Sequence, residues 1–295
     1  MHCPLAWQIS AEIWQVVEPQ LHWHAALQTV ISRSRRNFRD SMRHLIRFYS
    51  GEGKPTLFFR ADNGEFGTLV LSGAQDINFS DNLACIGYKA PDGYHGCKNG
   101  AIHTRQCPTC NALDMSRAYT KGDFSGYPAL HEQASKEQYV LYLAGFGEKI
   151  IKCGVTRLER FESRMREQGA DFGCVIAQFA GPDRIYGAEA EVQSRFLFSN
   201  SVRLSQKLRL LDFDRGEAHE NFASSVELVK NSGAVPDFTP SIIDFSEFYP
   251  RVKHAEETHT IIGEILGAKG EILLFKSELG RHFAVNMRKK VGTFF

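Results

Sequence analysis

Four of the seven cysteines fall within 26 residues, and they constrain the fold more than any other feature of this chain. Cys107 and Cys110 form a Cys-Pro-Thr-Cys pair, and Cys85 and Cys97 precede it in a segment dotted with glycine, asparagine and histidine. Thiolates at such spacing typically hold a tetrahedral structural zinc ion, with two ligands from a Cys-x-x-Cys turn and two from a second loop. We therefore predict a closed Zn²⁺ site at these four cysteines, which stabilises a loop-rich region and does not take part in catalysis.

Other interpretations of this segment stay open at the level of sequence, among them free thiols in a surface loop. His95 or His103 can replace Cys85 as a ligand, because imidazole binds zinc as well as a thiolate does. Alternatively, Cys107 and Cys110 form a redox pair. A thioredoxin-like pair opens a helix directly after a strand, and residues 104–106 lack a strand pattern, so the sequence favours the metal site.

The composition is that of a globular protein. The chain has 295 residues, 43% of them hydrophobic, which is enough for two or three modules with a buried core. Its formal charge is +1, so any attraction to nucleic acid must come from a local patch. An odd number of cysteines, no charged and apolar leader, and no apolar run near the ~20 residues of a membrane helix together predict a soluble, cytoplasmic protein.

The first 54 residues have a pattern of their own. Apolar side chains recur every three or four positions over residues 11–49, which predicts helix until the glycines and proline of residues 51–55. Within this segment an arginine recurs at every fourth position. In a helix this spacing would place four side chains on one face: Arg35, Arg39, Arg43 and Arg47. This stripe is a candidate contact for nucleic-acid phosphates, and the alternative, which charge runs on helices favour, is a solvated face.

The rest of the chain predicts an α+β fold in three further regions. Residues 55–130 contain short β-hairpins followed by the cysteine cluster. Residues 138–200 follow the order strand, strand, helix, strand, helix. Residues 201–295 contain helical patterns and then short strands. With the helical region at residues 1–54, this makes four predicted regions.

Short motifs in the third region carry a resemblance to a known family. They are Tyr139-Val-Leu-Tyr-Leu, Lys152-Cys-Gly-Val-Thr156, the arginine-rich helix that follows, and Ala188-Glu-Ala-Glu191. In this order they resemble the GIY-YIG nuclease module. Further motifs are Tyr142-Leu-Ala-Gly-Phe-Gly147, Gly154-Val-Thr-Arg157, Arg164 with Glu167-Gln-Gly-Ala170, Gly267-Ala-Lys-Gly270 and Asn286-Met-Arg288. Through these, the chain from about residue 56 onward is similar to prokaryotic proteins known only as a domain of unknown function, in which a cysteine cluster precedes such a module.

The resemblance implies a phosphodiester site. In GIY-YIG nucleases two tyrosines, an arginine and a glutamate surround the scissile phosphate, and the glutamate binds a divalent metal ion that stabilises charge on the phosphoryl oxygens. The positions that match are Tyr139, Lys152 in place of the second tyrosine, Arg164 and Glu191. Gly154 matches the glycine of the second motif.

Three of these positions leave room for alternatives. Arg160 is a rival to Arg164, and Glu189 is a rival to Glu191. The Lys152 ammonium can hold a phosphate as a point charge. Replacing tyrosine by lysine changes the groups available for proton transfer near the nucleophile. The resemblance therefore implies a zinc-containing nucleic-acid-binding protein that either cleaves DNA or RNA with Mg²⁺ or Mn²⁺ or binds without cleaving. The alternatives are a non-enzymatic adaptor for RNA or a ribonucleoprotein, and a zinc-stabilised protein-interaction scaffold.

Overall fold

Three antiparallel strands open the part of the chain that the structure, a computed structural model, describes, namely residues 42–50 and 54–295. They are β1 (His44–Tyr49), β2 (Thr56–Arg60) and β3 (Phe66–Val70), in the order β1-β2-β3. Leu45 and Leu57 are fully buried on the inner face of this sheet. Arg35, Arg39 and most of the predicted N-terminal helix lie outside the described residues.

The helix predicted up to residue 49 is wrong over its last part, because residues 44–49 form β1. Arg43 and Arg47 therefore do not share a helix face. The burial along β1 does not follow a strict alternation, because a bulge lies between Leu45 and Arg47, and pairing with β2 fixes this segment as a strand. Arg43 lies over the Phe59 ring at 4.9 Å, and Arg47 lies over the Tyr49 ring at 4.8 Å.

The cysteines lie in a segment with little regular structure, residues 85–110, which we name the cysteine loop. It follows strand β4 (Ala74–Asn78) and contains a short hairpin of β5 (Tyr88–Ala90) and β6 (Gly93–His95). Three short helices continue from its end: α1 (Pro108–Leu113), α2 (Ser116–Lys121) and α3 (Pro128–Ser135).

A four-stranded antiparallel sheet, which we name the central sheet because its first three strands come from the middle of the chain, has the order β10-β9-β7-β8. Its strands are β7 (Gln138–Phe146), β8 (Ile150–Arg157), β9 (Phe172–Ala180) and β10 (Ile242–Asp244). A 3₁₀ turn and helix α4 (Phe161–Gln168) connect β8 to β9, and α5 (Ile185–Phe196) follows β9. The predicted order strand, strand, helix, strand, helix is therefore present.

This sheet is buried on both faces. One face packs against α5 and α7 (Arg215–Lys230) through a core that includes Leu141, Phe172, Val192 and Phe222. The other face packs against α4 through a core that includes Tyr142, Phe146, Phe161 and Met165. Helix α6 (Leu204–Arg209) lies between α5 and α7 in the chain. Neighbouring residues of β7 thus enter two different cores.

A five-stranded sheet closes the fold in the order β11-β14-β13-β12-β4. Its strands include β11 (Glu256–Thr258), β12 (Thr260–Lys269), β13 (Ile272–Lys276) and β14 (His282–Asn286), and α8 (Met287–Lys290) follows. Ile261, Leu273 and Val285 share one core with Leu45 and Leu57 of the first sheet. The fold is thus α+β, as predicted.

A buried ion pair joins the central sheet to the five-stranded sheet. Lys269 Nζ lies 2.7 Å from Asp171 Oδ1, and only 4% and 1% of the two side chains are exposed. The Gly147 N–H donates to the other carboxylate oxygen at 2.8 Å, and Lys269 Nζ donates to the Leu210 carbonyl at 3.0 Å. Each buried charge is therefore compensated, as burial of an ion requires.

The structure also bears on membrane insertion. Across residues 42–50 and 54–295, none of the helices has both the length and the apolar character needed to span a bilayer.

Candidate metal centre and cationic cleft

The four predicted cysteines converge on one point. The sulfur atoms of Cys85, Cys97, Cys107 and Cys110 all lie within 4.8 Å of one another, and Cys97 Sγ is 3.9 Å from Cys107 Sγ. A tetrahedral zinc ion with Zn–S bonds of about 2.3 Å places its sulfur ligands about 3.8 Å apart. The cluster therefore has the ligand type, number and spacing to hold a metal ion such as zinc.

Backbone groups of the cysteine loop hold these sulfurs in place. Cys107 is the N-cap of α1, and its sulfur accepts from the Cys110 N–H at 3.5 Å. The Cys107 N–H donates to Cys85 Sγ at 3.2 Å, and the Cys85 N–H pairs with the Ala101 carbonyl at 2.8 Å. Because N–H donors favour a thiolate over a thiol, this arrangement prepares the site for a cation.

The pKa values of the cysteine thiols in the cluster are shifted in different directions. The backbone N–H of Cys110 lowers the pKa of Cys107 to about 7. Burial instead raises the pKa values of Cys85 and Cys110. Four thiolates in contact repel one another strongly, so full ionisation of the cluster needs a cation at its centre.

Neither histidine joins the cluster. His95 Nε2 lies 2.8 Å from Asp92 Oδ1, and the ring stacks on Tyr88 with a centroid distance of 5.1 Å. His103 is held through its backbone, where its N–H donates to the Leu83 carbonyl at 2.8 Å. The four-cysteine set is therefore the arrangement that the structure supports.

The predicted phosphodiester residues are only partly brought together. Lys152 and Arg164 lie on the same side of the central sheet, where Arg164 acts on Lys152 electrostatically. Tyr139 faces the opposite core, and its hydroxyl donates to Glu137 Oε2 at 3.3 Å. Glu191 is solvent-exposed on α5.

A second tyrosine of β7, Tyr142, occupies the side on which Lys152 lies. The Gln168 side chain links the two: its Nε2 donates to the Tyr142 hydroxyl at 2.8 Å, and its Oε1 accepts from Lys152 Nζ. Tyr142 pairs across the sheet with Gly154, where an added Cβ would lie 2.5 Å from the tyrosine hydroxyl. The glycine of the second motif is therefore required by the ring packed over it.

Glu189, the rival to Glu191, is the carboxylate that acts on Lys152. It is partly buried on α5, and Gln193 Nε2 donates to its Oε1 at 3.1 Å. Burial raises the pKa of Glu189, and the Lys152 ammonium opposes that rise. Burial lowers the pKa of Lys152 to about 8, with further lowering by Arg164 and Lys207.

Six side chains complete this site, which we name the polar cluster: Tyr142, Lys152, Arg164, Gln168, Glu189 and Lys207. Lys207 Nζ donates to the Gln168 carbonyl at 2.7 Å, and burial lowers its pKa to about 8. An amine with a pKa near 8 exchanges a proton close to neutral pH, and the neighbouring cations favour an anionic ligand. Gln168 lies in the Glu167-Gln-Gly-Ala170 motif, which assigned it no role, and the sequence around Lys207 contains no motif that would have predicted that residue.

A cleft of about 730 Å³ opens beside the polar cluster, between β1, the cysteine loop, α4 and the turn that precedes it. Among the described residues, its lining carries six positive side chains against three negative ones, Asp114, Glu167 and Glu271. We name it the cationic cleft, and its positive residues are Arg47, Lys89, Arg105, Arg160, Arg164 and Arg288.

Both rival arginines of α4 and the turn before it point to the same carboxylate in this cleft. Arg160 Nη2 lies 2.6 Å from Glu167 Oε1, and Arg164 Nη1 lies 3.3 Å from Glu167 Oε2. Two guanidinium groups around this partly buried carboxylate can also bind a phosphate, because guanidinium geometry suits both anions. The choice between Arg160 and Arg164 is therefore not exclusive, since both line the cleft.

Comparison with known proteins adds a family. A family model described as a protein of unknown function (DUF2797) matches residues 76–294. This chain belongs to that family. None of the curated proteins and none of the solved structures that were compared matches it. The resemblance to GIY-YIG nucleases finds no relative in these comparisons and stays a hypothesis.

The DUF2797 match covers the cysteines and the polar cluster but only part of the cationic cleft. Residues 76–294 contain all four cysteines and the whole polar cluster. Strands β1 to β3 precede the match, although Arg47 and its neighbours form one wall of the cationic cleft. This chain therefore combines a DUF2797 region with a preceding sheet that completes the cleft.

Proposed function

We propose that this protein binds nucleic acid in the cationic cleft and holds a structural Zn²⁺ ion at the four cysteines. The observation that carries this function is the excess of positive charge along the cleft lining. A phosphate backbone presents one negative charge per nucleotide, and arginine-rich grooves bind it independently of sequence. Because the formal charge of the chain is only +1, the attraction must come from a local patch, and the cleft is such a patch among the described residues.

The metal ion has a structural role in this proposal. Four thiolates fill a tetrahedral coordination sphere and leave no position for water or substrate. The cysteine loop carries Lys89, Tyr94 and Arg105 of the cleft lining. An ion at its centre would fix these side chains in position.

Phosphodiester hydrolysis at the polar cluster is the second function that we propose. Arg164 belongs to both the cationic cleft and the polar cluster, so a phosphate bound by Arg164 lies next to Tyr142 and Lys152. Glu189 supplies the carboxylate for a Mg²⁺ or Mn²⁺ ion. The order of elements and the resemblance to GIY-YIG nucleases support this function, with Tyr142 and Glu189 in the roles expected for Tyr139 and Glu191.

Binding is tested by fluorescence anisotropy with labelled DNA and RNA oligonucleotides over a range of salt concentrations. We expect affinity to fall steeply with salt, and Arg164→Gln and Arg288→Gln each to weaken binding and lower the salt slope by about one. Arg281→Gln is the matched control, since Arg281 is an exposed arginine that does not line the cleft. Zinc-loaded protein without salt-dependent binding would contradict the proposal and favour a protein-interaction scaffold.

Cleavage is tested on the same oligonucleotides with Mg²⁺ and Mn²⁺. We expect Glu189→Gln to abolish cleavage and retain binding, and Glu191→Gln to leave both unchanged. Binding without metal-dependent cleavage of any single-stranded, duplex or branched substrate would remove the second function. The protein would then be an adaptor for RNA or a ribonucleoprotein.

A further inference from the structure

The outer face of the three-stranded sheet combines aromatic and basic side chains. Cross-strand partners share a face, and Arg47 pairs with Phe58, whereas Arg60 pairs with Phe66. Tyr49 lies two positions beyond Arg47 on β1 and faces the same way. The opposite face carries Leu45 and Leu57 into the core, so these aromatic side chains are not needed there.

Four aromatic rings on this side form a continuous surface, which we name the aromatic platform: Tyr49, Phe58, Phe66 and Tyr94. Phe58 and Phe66 stack at 5.4 Å with an interplanar angle of 13°. Tyr94 of β6 meets both rings edge-on at 5.8 Å, and Tyr49 lies 6.5 Å from Phe58. Tyr49 is 40% exposed and Phe66 is 38% exposed, so ring surface is available to a partner.

Positive charge accompanies these rings. The Arg47 guanidinium lies 4.8 Å from the centre of the Tyr49 ring. The Arg60 guanidinium packs closely against Gly96 in the cysteine loop. A Cβ added at Gly96 would lie 2.3 Å from Arg60 Nη1. A purely apolar partner would leave such charges without compensation, whereas an anionic partner with flat apolar groups satisfies both kinds of side chain.

The aromatic platform is continuous with the cationic cleft. Arg47, Tyr49 and Tyr94 line the cleft and also belong to the platform or lie directly against it. A ligand whose charged backbone occupies the cleft can therefore place its next groups on the rings without leaving the surface.

We propose that the aromatic platform stacks the bases of a single-stranded nucleic acid whose phosphates lie in the cationic cleft. This inference rests on the proposed nucleic-acid binding and names the substrate class. Base faces are hidden inside a duplex but exposed in a single strand, and aromatic side chains in a basic groove stack on them with little sequence preference. A duplex would contact the cleft alone.

The test compares a labelled single strand of about 15 nucleotides with a duplex of the same sequence. Tyr49→Leu and Phe66→Leu keep apolar bulk and remove the ring, so we expect each to weaken single-strand binding roughly 5- to 100-fold. Phe66→Leu should leave duplex affinity and the salt slope unchanged, because Phe66 does not line the cleft and no charge is removed. Phe248→Leu is the matched control, since this phenylalanine is 57% exposed and lies outside the platform.

Wild-type protein provides a measurement that does not depend on the folding of a variant. Photo-crosslinking with single strands that contain 5-iodouridine should attach bases to platform residues, which mass spectrometry identifies. Unchanged single-strand affinity in both leucine variants, or crosslinks confined to the cleft, would overturn this inference. That is also the result expected if another protein or the first 41 residues cover the platform. Absence of salt-dependent binding in the wild-type protein would instead overturn the proposed function itself. The failure of the base-stacking inference and the failure of the proposed function are therefore distinguishable.

Discussion

The two walls of the cationic cleft are built in different ways. One wall comes from β1, whose Leu45 packs into an apolar core, and from the cysteine loop, where short elements surround the four sulfurs and little apolar core is present. The other comes from α4, whose Phe161 and Met165 pack into a core beneath the central sheet. We therefore expect the position of the cysteine loop to depend on a bound metal ion, whereas the position of the second wall depends on close packing and a buried ion pair.

Loss of a metal ligand should have the largest effect, and it should act on the first wall. Cys107→Ser removes one ligand, and structural zinc binding contributes roughly 10–16 kcal/mol in small zinc-finger peptides. We expect loss of bound metal, fast hydrogen exchange in residues 85–110, and loss of nucleic-acid binding. Metal content by mass spectrometry and hydrogen exchange measure these changes.

His95→Ala is the control for this experiment, because His95 lies in the same loop but binds Asp92. It should keep one metal ion per chain. Retention of stoichiometric metal and unchanged hydrogen exchange in Cys107→Ser would contradict the four-cysteine site.

Breaking the buried ion pair should act on the second wall. Asp171→Ala leaves the ammonium of Lys269 buried with the Leu210 carbonyl as acceptor but without its charged partner, and such changes typically lower the free energy of unfolding by about 3–5 kcal/mol. Urea unfolding measures this loss, and hydrogen exchange should increase around α4, β9 and β12 but not in the cysteine loop.

The double variant Asp171→Leu with Lys269→Met separates charge from packing. It removes both charges and should recover much of the lost stability. If the double variant is as unstable as Asp171→Ala, the loss comes from packing and from the Gly147 hydrogen bond, and the ion pair is not what joins the sheets.

A smaller effect is expected where Tyr142 packs on Gly154. Gly154→Ala places a methyl group 2.5 Å from the tyrosine hydroxyl, and such overpacking typically lowers the free energy of unfolding by about 1–3 kcal/mol. Tyr142→Phe removes the oxygen and should reduce the effect of Gly154→Ala when the two are combined. Additive losses in urea unfolding would show that the two sites are not in contact.

The first wall was easier to predict from the sequence than the second. Cys85, Cys97, Cys107 and Cys110 are close in the chain, and their ligand chemistry limits them to one arrangement. The choice between cysteine and histidine ligands still needed coordinates, because His95 lies equally near in sequence and is turned toward Asp92.

The polar cluster depends on information that local patterns do not contain. Tyr139 and Tyr142 are an odd number of residues apart on β7 and so face opposite cores, and the motif alone does not tell which core contains Lys152. Gln168 and Lys207 enter through tertiary contacts across 16 and 39 positions. These contacts decide which tyrosine and which glutamate belong to the site.

The same limit applies to the fold. The strands and helices of residues 138–200 have short-range patterns and were predicted in the right order. Strand β1 was predicted as helix, and the strand pairing of the five-stranded sheet was not predicted, because its partners are distant in the chain: β12 pairs with β4 about 180 positions earlier. For such strands the partner, and not the local period, determines the structure.

The smallest predicted effect concerns the buried amine of the polar cluster. The pKa of Lys152 is about 8 in the folded protein, below its ordinary value of 10.5. Between these pH values the unfolded chain binds more protons than the folded one, so the free energy of unfolding should rise with pH by at most about 1.4 kcal/mol per unit. Below pH 8 both states hold the proton and this contribution is constant.

Lys152→Met isolates this effect, because it removes one titrating group and leaves the thiols and tyrosines in place. The free energy of unfolding of the wild type minus that of Lys152→Met, from urea unfolding at pH 7.5, 8.5 and 9.5, should increase with pH. Lys136→Met is the control, since Lys136 is 72% exposed and should give a constant difference. A flat or falling difference for Lys152→Met would mean that the amine is solvated, and the second wall would then lack the buried positive charge that places a phosphate next to Tyr142.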